Sequence, residues 1–388
     1  MAVPGRGGRR AQDREILRLA VPAFGALVAE PLFLLADSAI VGHLGTPQLA
    51  GLGVAGALLA TAVSVCVFLA YGTTASVARR VGAGDLRAAV AQGVDGIWLA
   101  VALGTLLAVL LAAAGGPLID AFGTSARAAP YALTYLHVSL VGLPAMLAVL
   151  AATGVLRGLQ DTRTPLVVAA VGAAANVVLN VALVYGAGLG IAGSALGTVL
   201  SQVGMAAAFL AIVVRGARRE GASLRPDLPG IRAAGRAGLP LVVRTVTLRA
   251  ALLLMTYVAT AAGTVAVAAH QVAFTIWLFL SLMLDAVAIA GQAIVGRYLG
   301  ASDVPGTRAA TRRMVEWGVL SGIVLGVVLL ALRAAFVPLF TDDPAVRALL
   351  ADVLVVAALA QPVCGAVFAL DGVLIGAGDG RYLAVAGV

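Results

Sequence analysis

The sequence predicts an all-α polytopic membrane protein made of two parallel six-helix repeats, the second of which is incomplete in this chain. Three observations lead to this prediction. The 388 residues are 61% hydrophobic and only 11% charged, with a mean hydropathy of +1.04, a composition that is not typical of a soluble protein. Apolar runs of about 20 residues, each long enough to cross a bilayer as a helix, recur along the chain. The two halves also repeat each other at a constant spacing of 218 residues.

The apolar runs predict ten complete spans and the start of an eleventh at residue 382. Their predicted bounds are 16–40, 47–77, 89–114, 129–156, 165–187, 190–214, 235–262, 265–295, 309–334 and 345–375. The predicted division of the chain is a cytoplasmic head at 1–15, an N-lobe with spans 1–6 at 16–214, a cytoplasmic linker at 215–232 and a C-lobe at 233–388. A second repeat as long as the first would run to about residue 432, so we expect this chain to represent a truncated twelve-helix protein.

The repeat is visible in two similar segments, "VLRGLQDTRTPL" at 155–166 and "VLIGAGDGRYL" at 373–383. The same spacing pairs residues elsewhere, among them Pro22 with Pro240, Gly45 with Gly263, Asp85 with Asp303, Pro144 with Pro362 and Asp161 with Asp379. A constant spacing of this kind indicates a duplication. Because each copy has an even number of spans, both copies enter the membrane from the same side and form parallel repeats.

The positive charge of the chain is distributed in a pattern typical of membrane topology. The net charge is +8, and every basic residue apart from the three histidines is an arginine. Most of the arginines lie in the N-terminal head and in the loops after even-numbered spans, whereas the opposite loops carry only Arg127, Arg333 and Arg347. The positive-inside rule therefore predicts a cytoplasmic N-terminus in a cell inner membrane, that is, the cytoplasmic membrane. It also explains the charge without a nucleic-acid partner.

Span 1 carries two carboxylates inside the predicted membrane. Ionisable groups at this depth are costly, so each is a candidate functional residue. Glu30 and Asp37 are seven positions apart, or about two helical turns, which places them on the same face. Pro22 and Pro31 lie in the same span, and proline permits a helix to bend. We therefore predict a bendable helix that carries the acidic group of the site.

Helix geometry predicts that polar residues of spans 5 and 6 share the outer half of one cavity with Asp37. At 1.5 Å per residue, Asp37 lies roughly 30 Å and Asn180 roughly 22 Å from the cytoplasmic starts of their spans, and Thr198 about 12 Å from the outer side. Asn176 lies one turn before Asn180 on the same face. The repeat places Met255 where the first copy has Asp37, so the acidic site is predicted in the N-terminal copy alone.

Other intramembrane polar residues are weaker candidates for substrate binding or gating. Gln202 follows Thr198 by one turn, and Tyr185 is either part of the site or an interfacial aromatic residue. In the second half, Asp285 in span 8 could pair with an arginine of span 7, and Asp371 near the cytoplasmic end of span 10 could act as a gate. Cys66 and Cys364 have no metal-ligand spacing, and we predict no metal site and no catalytic residues.

Several stretches together resemble one known family. They include "LAVPAFGALVAEPLFLLADSAIVGHLGTPQLAGLGVA" (19–55), "VLRGLQDTRTPL", "NVVLNVALVYGAGLGIAGSALGTVLSQ" (176–202), "AAHQVAF" (268–274) and "ALDGVLIGAGD" (369–379). From Glu15 onward the chain resembles the MATE family (multidrug and toxic compound extrusion), specifically its DinF-like branch. The resemblance implies a MATE-type transporter with two six-helix lobes in a V and a central cavity, which exports organic compounds against a proton or sodium gradient.

The resemblance also implies roles for individual residues. The family's coupling aspartate lies in the first helix at the position of Asp37, and polar residues matching Asn176, Asn180 and Thr198 surround it. Many relatives carry a second aspartate where this sequence has Asn180. This difference argues against a mechanism that needs two carboxylates in the N-lobe.

The expected function is a secondary-active antiporter that exports organic, cationic amphipathic compounds in exchange for protons by rocking of two lobes. Protonation of Asp37 from outside would compete with the cationic substrate, and the proton would later be lost to the cytoplasm. We expect no cofactor beyond the ion gradient, and as partners only small organic substrates and the bilayer around a monomer. The alternatives are a sodium-coupled multidrug exporter and a lipid-linked precursor flippase of the same superfamily. An intramembrane aspartyl protease is disfavoured, because both "GAGD" motifs lie at predicted loop edges.

Overall fold

The computed structural model describes residues 6–388, with side chains from residue 9 onward. The described chain is built of thirteen α-helices and one π-helical turn, Ala182–Gly186, and no strand occurs between residues 6 and 388. The helices are α1 Arg6–Gly42, α2 Thr46–Val65, α3 Phe68–Gly82, α4 Leu86–Ala121, α5 Ala129–Leu140, α6 Leu143–Gly158, α7 Arg163–Val181, α8 Gly190–Glu220, α9 Leu228–Ala261, α10 Thr264–Gly300, α11 Val304–Phe340, α12 Pro344–Ala377 and α13 Gly380–Gly387.

The predicted spans are confirmed. Within the described residues, nine helical segments have the length and hydropathy to cross a membrane, and the bent pair α5–α6 makes a tenth. Large apolar side chains cover their outer surfaces, as expected of helices that face lipid. Two predicted spans are interrupted: span 2 is divided into α2 and α3 at Cys66–Val67, and span 4 bends by 53° between α5 and α6.

The helices extend beyond the predicted spans at the arginine-rich ends. Helix α1 begins at Arg6, inside the predicted head, and α8 and α9 continue into the predicted linker at 215–232, leaving 221–227 between them. Gly221 ends α8 in the left-handed conformation (φ 65°), and the Asp227 side chain caps α9 by accepting from the Gly230 amide at 3.0 Å. Hydropathy marks the part of a helix within the membrane, whereas caps determine where the helix ends.

The two parallel repeats are confirmed by matching backbone conformations 218 residues apart. Asp85 and Asp303 both cap the next helix. Each carboxylate accepts a hydrogen bond of 2.8 Å from a backbone amide. The residues before them, Gly84 and Ser302, both have positive φ, at 77° and 56°. Equivalent residues therefore form equivalent turns in both halves. We call the first repeat (α1–α8) the N-lobe and the second (α9–α13) the C-lobe.

The lobes are in contact on the arginine-rich side of the membrane. Helices α3 and α10 approach so closely there that a Cβ on Gly82 would overlap the Arg297 carbonyl, and a Cβ on Gly300 would overlap the Arg79 carbonyl. These four residues form two equivalent pairs at the repeat spacing, so the contact lies on the pseudo-twofold axis. The structure is therefore closed between the lobes on this side.

Candidate functional site

Asp37 lies in the interior of the N-lobe with only 2% of its surface exposed. Its carboxylate accepts three hydrogen bonds from neutral side chains. Asn180 Nδ2 donates to Oδ1 at 2.9 Å, the Ser194 hydroxyl donates to the same oxygen, and the Tyr135 hydroxyl donates to Oδ2 at 3.0 Å. An ionised carboxylate can accept three hydrogen bonds, and none of the three donors here is positively charged.

A second layer of amides extends the network from Asp37 towards α8. Asn180 Nδ2 also donates to Asn176 Oδ1 at 3.2 Å, and Asn176 Nδ2 donates to Thr198 Oγ1 at 3.1 Å. All three side chains are buried. Asn180 Oδ1 is buried and has no hydrogen-bond partner within the described part of the chain, so one acceptor of the network remains available.

Close helix packing brings these side chains together. Asn176 and Asn180 occupy one face of α7, and Ser194 and Thr198 occupy one face of α8, each pair separated by a single turn. A Cβ on Gly197 would overlap Asn180 Oδ1, so only glycine allows α8 to approach α7 this closely. The π-helical turn at the end of α7 is of a kind frequent at functional sites.

The structure brings together the four predicted coupling residues, Asp37, Asn176, Asn180 and Thr198. Sequence reasoning missed Ser194 and Tyr135. Ser194 precedes Thr198 by one turn on the predicted span 6, so helical periodicity could have identified it. Tyr135 comes from α5, and hydropathy gives no signal for which side chains of this helix face Asp37.

The other predicted N-lobe residues lie outside this network. Glu30 is exposed and makes no hydrogen bond to another described residue. Gln202 donates to Met146 Sδ at 3.5 Å. The Tyr185 hydroxyl donates to the Ile40 carbonyl at 2.6 Å, which fixes the end of α1 beside the π-helical turn. Helix α1 continues unbroken through Pro22 and Pro31, and the predicted bending there remains a prediction.

A second group of charges lies in the C-lobe and at its boundary with the N-lobe. Arg244 on α9 forms an ion pair of 2.7 Å with Asp371 on α12. Asp285 on α10, which we expected to pair with an arginine, has no ion pair within 4 Å among the described residues. The arginine of span 7 thus pairs with the other predicted carboxylate.

No group of three or more His, Cys, Asp or Glu side chains converges in the part of the chain that the structure describes. The oxygen atoms around Asp37 are nevertheless of the kinds that can coordinate sodium: a carboxylate, amide carbonyls and hydroxyls. The arrangement can therefore exchange a proton at one carboxylate or hold a small hard cation beside it.

Two parallel helical repeats are a plan found in many secondary transporters, and here a buried polar site lies within the first repeat. The MatE family model matches residues 22–182 and 240–388, and the chain belongs to this family. It is 30% identical to Protein DETOXIFICATION 43 of Arabidopsis thaliana, over 97% of this chain and 82% of that protein. It is 28% identical to DNA damage-inducible protein F of Escherichia coli, over 94% and 81%. It is 30% identical to the probable multidrug resistance protein NorM of Pseudomonas putida, over 87% and 75%.

The solved structures that resemble this chain show the same fold. The Vibrio cholerae MATE transporter VcmN in its bent form matches with a TM-score of 0.91 at 21% identity, covering 98% of this chain and 87% of that one. A MOP superfamily transporter from Pyrococcus furiosus matches with a TM-score of 0.86 at 21% identity, over 97% and 85%. The predicted resemblance is thus confirmed: the chain is a multi-pass membrane transporter of the MATE type, and the family to which it belongs consists of transporters rather than enzymes.

Proposed function

We propose that the protein is a proton-coupled antiporter that exports organic cationic compounds, and that Asp37 is its coupling group. The proposal rests on one observation: the buried carboxylate of Asp37 accepts hydrogen bonds only from neutral side chains. Burial disfavours the charged form of a carboxylate unless a positive charge compensates it, and no cationic side chain bonds to Asp37 among residues 9–388. A proton or a cationic substrate would supply that compensation.

Protonation would change the contacts that hold α1 to its neighbours. An ionised Asp37 accepts from all three donors, whereas a protonated carboxyl donates one hydrogen bond itself. The hydroxyls of Ser194 and Tyr135 can rotate to accept it, but the Asn180 amide nitrogen cannot. Proton binding therefore rearranges the contacts of α1 with α5 and α8, and α1 is the helix whose repacking would alter the cavity.

The cycle follows from competition between proton and substrate for one negative charge. A proton from the acidic outside neutralises Asp37, and the cationic substrate loses its counter-charge and leaves outward. The lobes then rock, the proton is released to the cytoplasm, and new substrate binds. This direction places the arginine-rich side in the cytoplasm, as the distribution of arginine along the chain supports.

Sodium coupling is the second candidate, and one observation favours it. The unpartnered Asn180 Oδ1, the Asp37 carboxylate and the hydroxyls beside it provide oxygen ligands without a compensating charge. The names of relatives such as NorM, a probable multidrug resistance protein, support an exporter of organic compounds in either case.

The test is dye efflux from liposomes that contain the full-length protein. We expect an inward proton gradient without sodium to drive efflux of a fluorescent cationic dye, and Asp37→Asn to reduce the rate to that of empty liposomes. Asp352→Asn is the matched control, because Asp352 is an exposed carboxylate in the C-lobe with no hydrogen bond to another described residue. Proton-driven efflux that persists in Asp37→Asn would refute the assignment of Asp37. Efflux by the wild type that appears only after sodium is added would favour the second candidate.

A further inference from the structure

Helix α1 belongs to the N-lobe, but its first turns are fastened to the C-lobe. Asp13 accepts two hydrogen bonds from Arg313 of α11, 2.6 Å from Nε and 2.9 Å from the terminal nitrogen. The Trp317 indole donates to the same carboxylate at 2.8 Å. Glu15 forms an ion pair with Arg297 of α10. Bidentate, charge-assisted contacts of this kind fix orientation more strongly than a single surface ion pair.

Apolar contacts continue the attachment towards the middle of α1. Ile16, Leu19 and Ala20 are buried in one cluster with side chains of α10 and α11, including Met314, and Ala23 packs against Ile289. Further along α1 the contacts change to the N-lobe. Gly25 lies against Leu166 of α7, and Asp37 bonds to α5, α7 and α8.

We propose that a latch of five residues holds the lobes closed on the arginine-rich side, and that opening this side requires the latch to break or α1 to bend. The five residues are Asp13, Glu15, Arg297, Arg313 and Trp317. We call this group the α1 latch. Its two carboxylates come from the N-lobe and its three partners from the C-lobe, so separating the lobes there pulls directly on these bonds. The inference does not depend on which ion drives transport.

The geometry of α1 explains why opening has to break or strain the latch. Asp13 and Asp37 lie on one continuous helix, about 36 Å apart, with one end held by the C-lobe and the other by the N-lobe. The lobes cannot separate at the Gly82 and Gly300 contact while a straight α1 remains bound at both ends. Either the latch opens or α1 bends, and Pro22 and Pro31 lie between the two attachments.

A neighbouring arginine provides a matched control. Arg312 and Arg313 both bond to Glu316, but only Arg313 reaches Asp13. The Arg312 side chain is 73% exposed, against 25% for Arg313. Replacing either arginine with glutamine removes the same charge from the same turn of α11, and only one replacement removes the bond between the lobes.

The experiment measures the distance between spin labels at Leu86→Cys and Val304→Cys, two exposed and repeat-equivalent positions on the arginine-rich side. Cys66 and Cys364 are replaced by alanine, and the protein is reconstituted in lipid nanodiscs. We expect the labelled protein with an intact latch to show mainly the shorter distance between the two spin labels. Asp13→Asn and Arg313→Gln should each raise the ratio of the long-distance population to the short-distance population by about tenfold. This is the change expected when a charge-assisted pair is lost from a partly buried site. Arg312→Gln should leave the ratio unchanged.

Two further variants make the outcome decisive. The double variant Asp13→Asn with Arg313→Gln should open the lobes no further than either single change, because the two residues act through one ion pair. Trp317→Phe removes only the indole donor and should give a smaller shift in the same direction, which provides a test if Asp13→Asn does not fold. The proposal is overturned if Asp13→Asn keeps the unmodified distance distribution, if Arg312→Gln opens the lobes equally, or if the effects of the two latch variants simply add.

Discussion

The two repeats share their backbone and differ in their charges. Residues that determine the path of the chain recur at the repeat spacing, among them the helix caps Asp85 and Asp303. The polar site does not recur. Met255 stands where the N-lobe has Asp37, and Val353 stands where it has Tyr135. The duplication thus provided the same scaffold twice, and the buried carboxylate is present in one copy.

The C-lobe has charges of its own at positions where the N-lobe is uncharged. Arg244, Asp285 and Asp371 correspond to Ala26, Val67 and Thr153. Arg244 and Asp371 neutralise each other at 2.7 Å, whereas Asp37 has only neutral partners among the described side chains. A carboxylate whose charge is already compensated has less need of a proton or a substrate. Under the proposed function, the comparison therefore favours Asp37 over Asp371 as the coupling group.

The largest expected effect comes from moving the carboxylate between lobes. In the double variant Asp37→Asn with Met255→Asp, we expect proton-driven dye efflux to stay at the level of empty liposomes. The new aspartate would lie on an exposed face of α9, without a tyrosine at the position of Tyr135. The single variant Met255→Asp is the control and should retain efflux. Efflux restored by the double variant would show that the two lobes are functionally equivalent, contrary to the comparison.

A smaller effect is expected from the shared scaffold, and it should be alike in both lobes. A Cβ on Gly154 would lie 2.5 Å from the Ala70 carbonyl oxygen, and a Cβ on Gly372 would lie 2.6 Å from the equivalent Ala288 Cα. Changing either glycine to alanine should destabilise the fold by about 1–3 kcal/mol, because the helices must move apart. The measurement is the thermal unfolding midpoint in detergent.

The control for these glycines is Gly53→Ala, because a Cβ at that position meets nothing within 4 Å. We expect its midpoint to stay within about 1 °C of the unmodified protein or to rise, since alanine favours the helix. A loss of stability in only one of the two variants Gly154→Ala and Gly372→Ala would mean that the repeats do not pack equivalently.

Much of the site was predictable because it depends on helical periodicity. The one-turn spacing of Asn176 and Asn180 and the depth of each span were sufficient to bring these residues to Asp37. Gln202 satisfied the same periodicity but lies one turn beyond the network, where it meets Met146. Periodicity identifies a face of a helix, but packing decides how much of that face belongs to the site.

The residues that escaped prediction depend on tertiary packing. Tyr135 reaches Asp37 from α5, the first part of a span that bends by 53°. The α1 latch joins Asp13 to Arg313, and the sequence indicated only that Arg313 belonged to the set of arginines that orient the protein. The ion pair between Arg244 and Asp371 was missed because adjacent spans suggested a different partner. Contacts between distant helices leave no periodic pattern in the chain.

The smallest expected effect tests how Tyr135 acts on Asp37. Tyr135→Phe removes one donor to the carboxylate and leaves the other two, so the protonated form should become easier to reach and should persist to higher pH. We therefore expect the pH profile of dye efflux to move upward by less than about one unit, as a single hydrogen bond allows. Tyr131→Phe is the control, because the Tyr131 hydroxyl makes no hydrogen bond to a described residue. A lower maximal rate with an unchanged pH profile would instead mean that Tyr135 only supports the packing of α5, and the coupling network would then consist of Asn180 and Ser194 alone around Asp37.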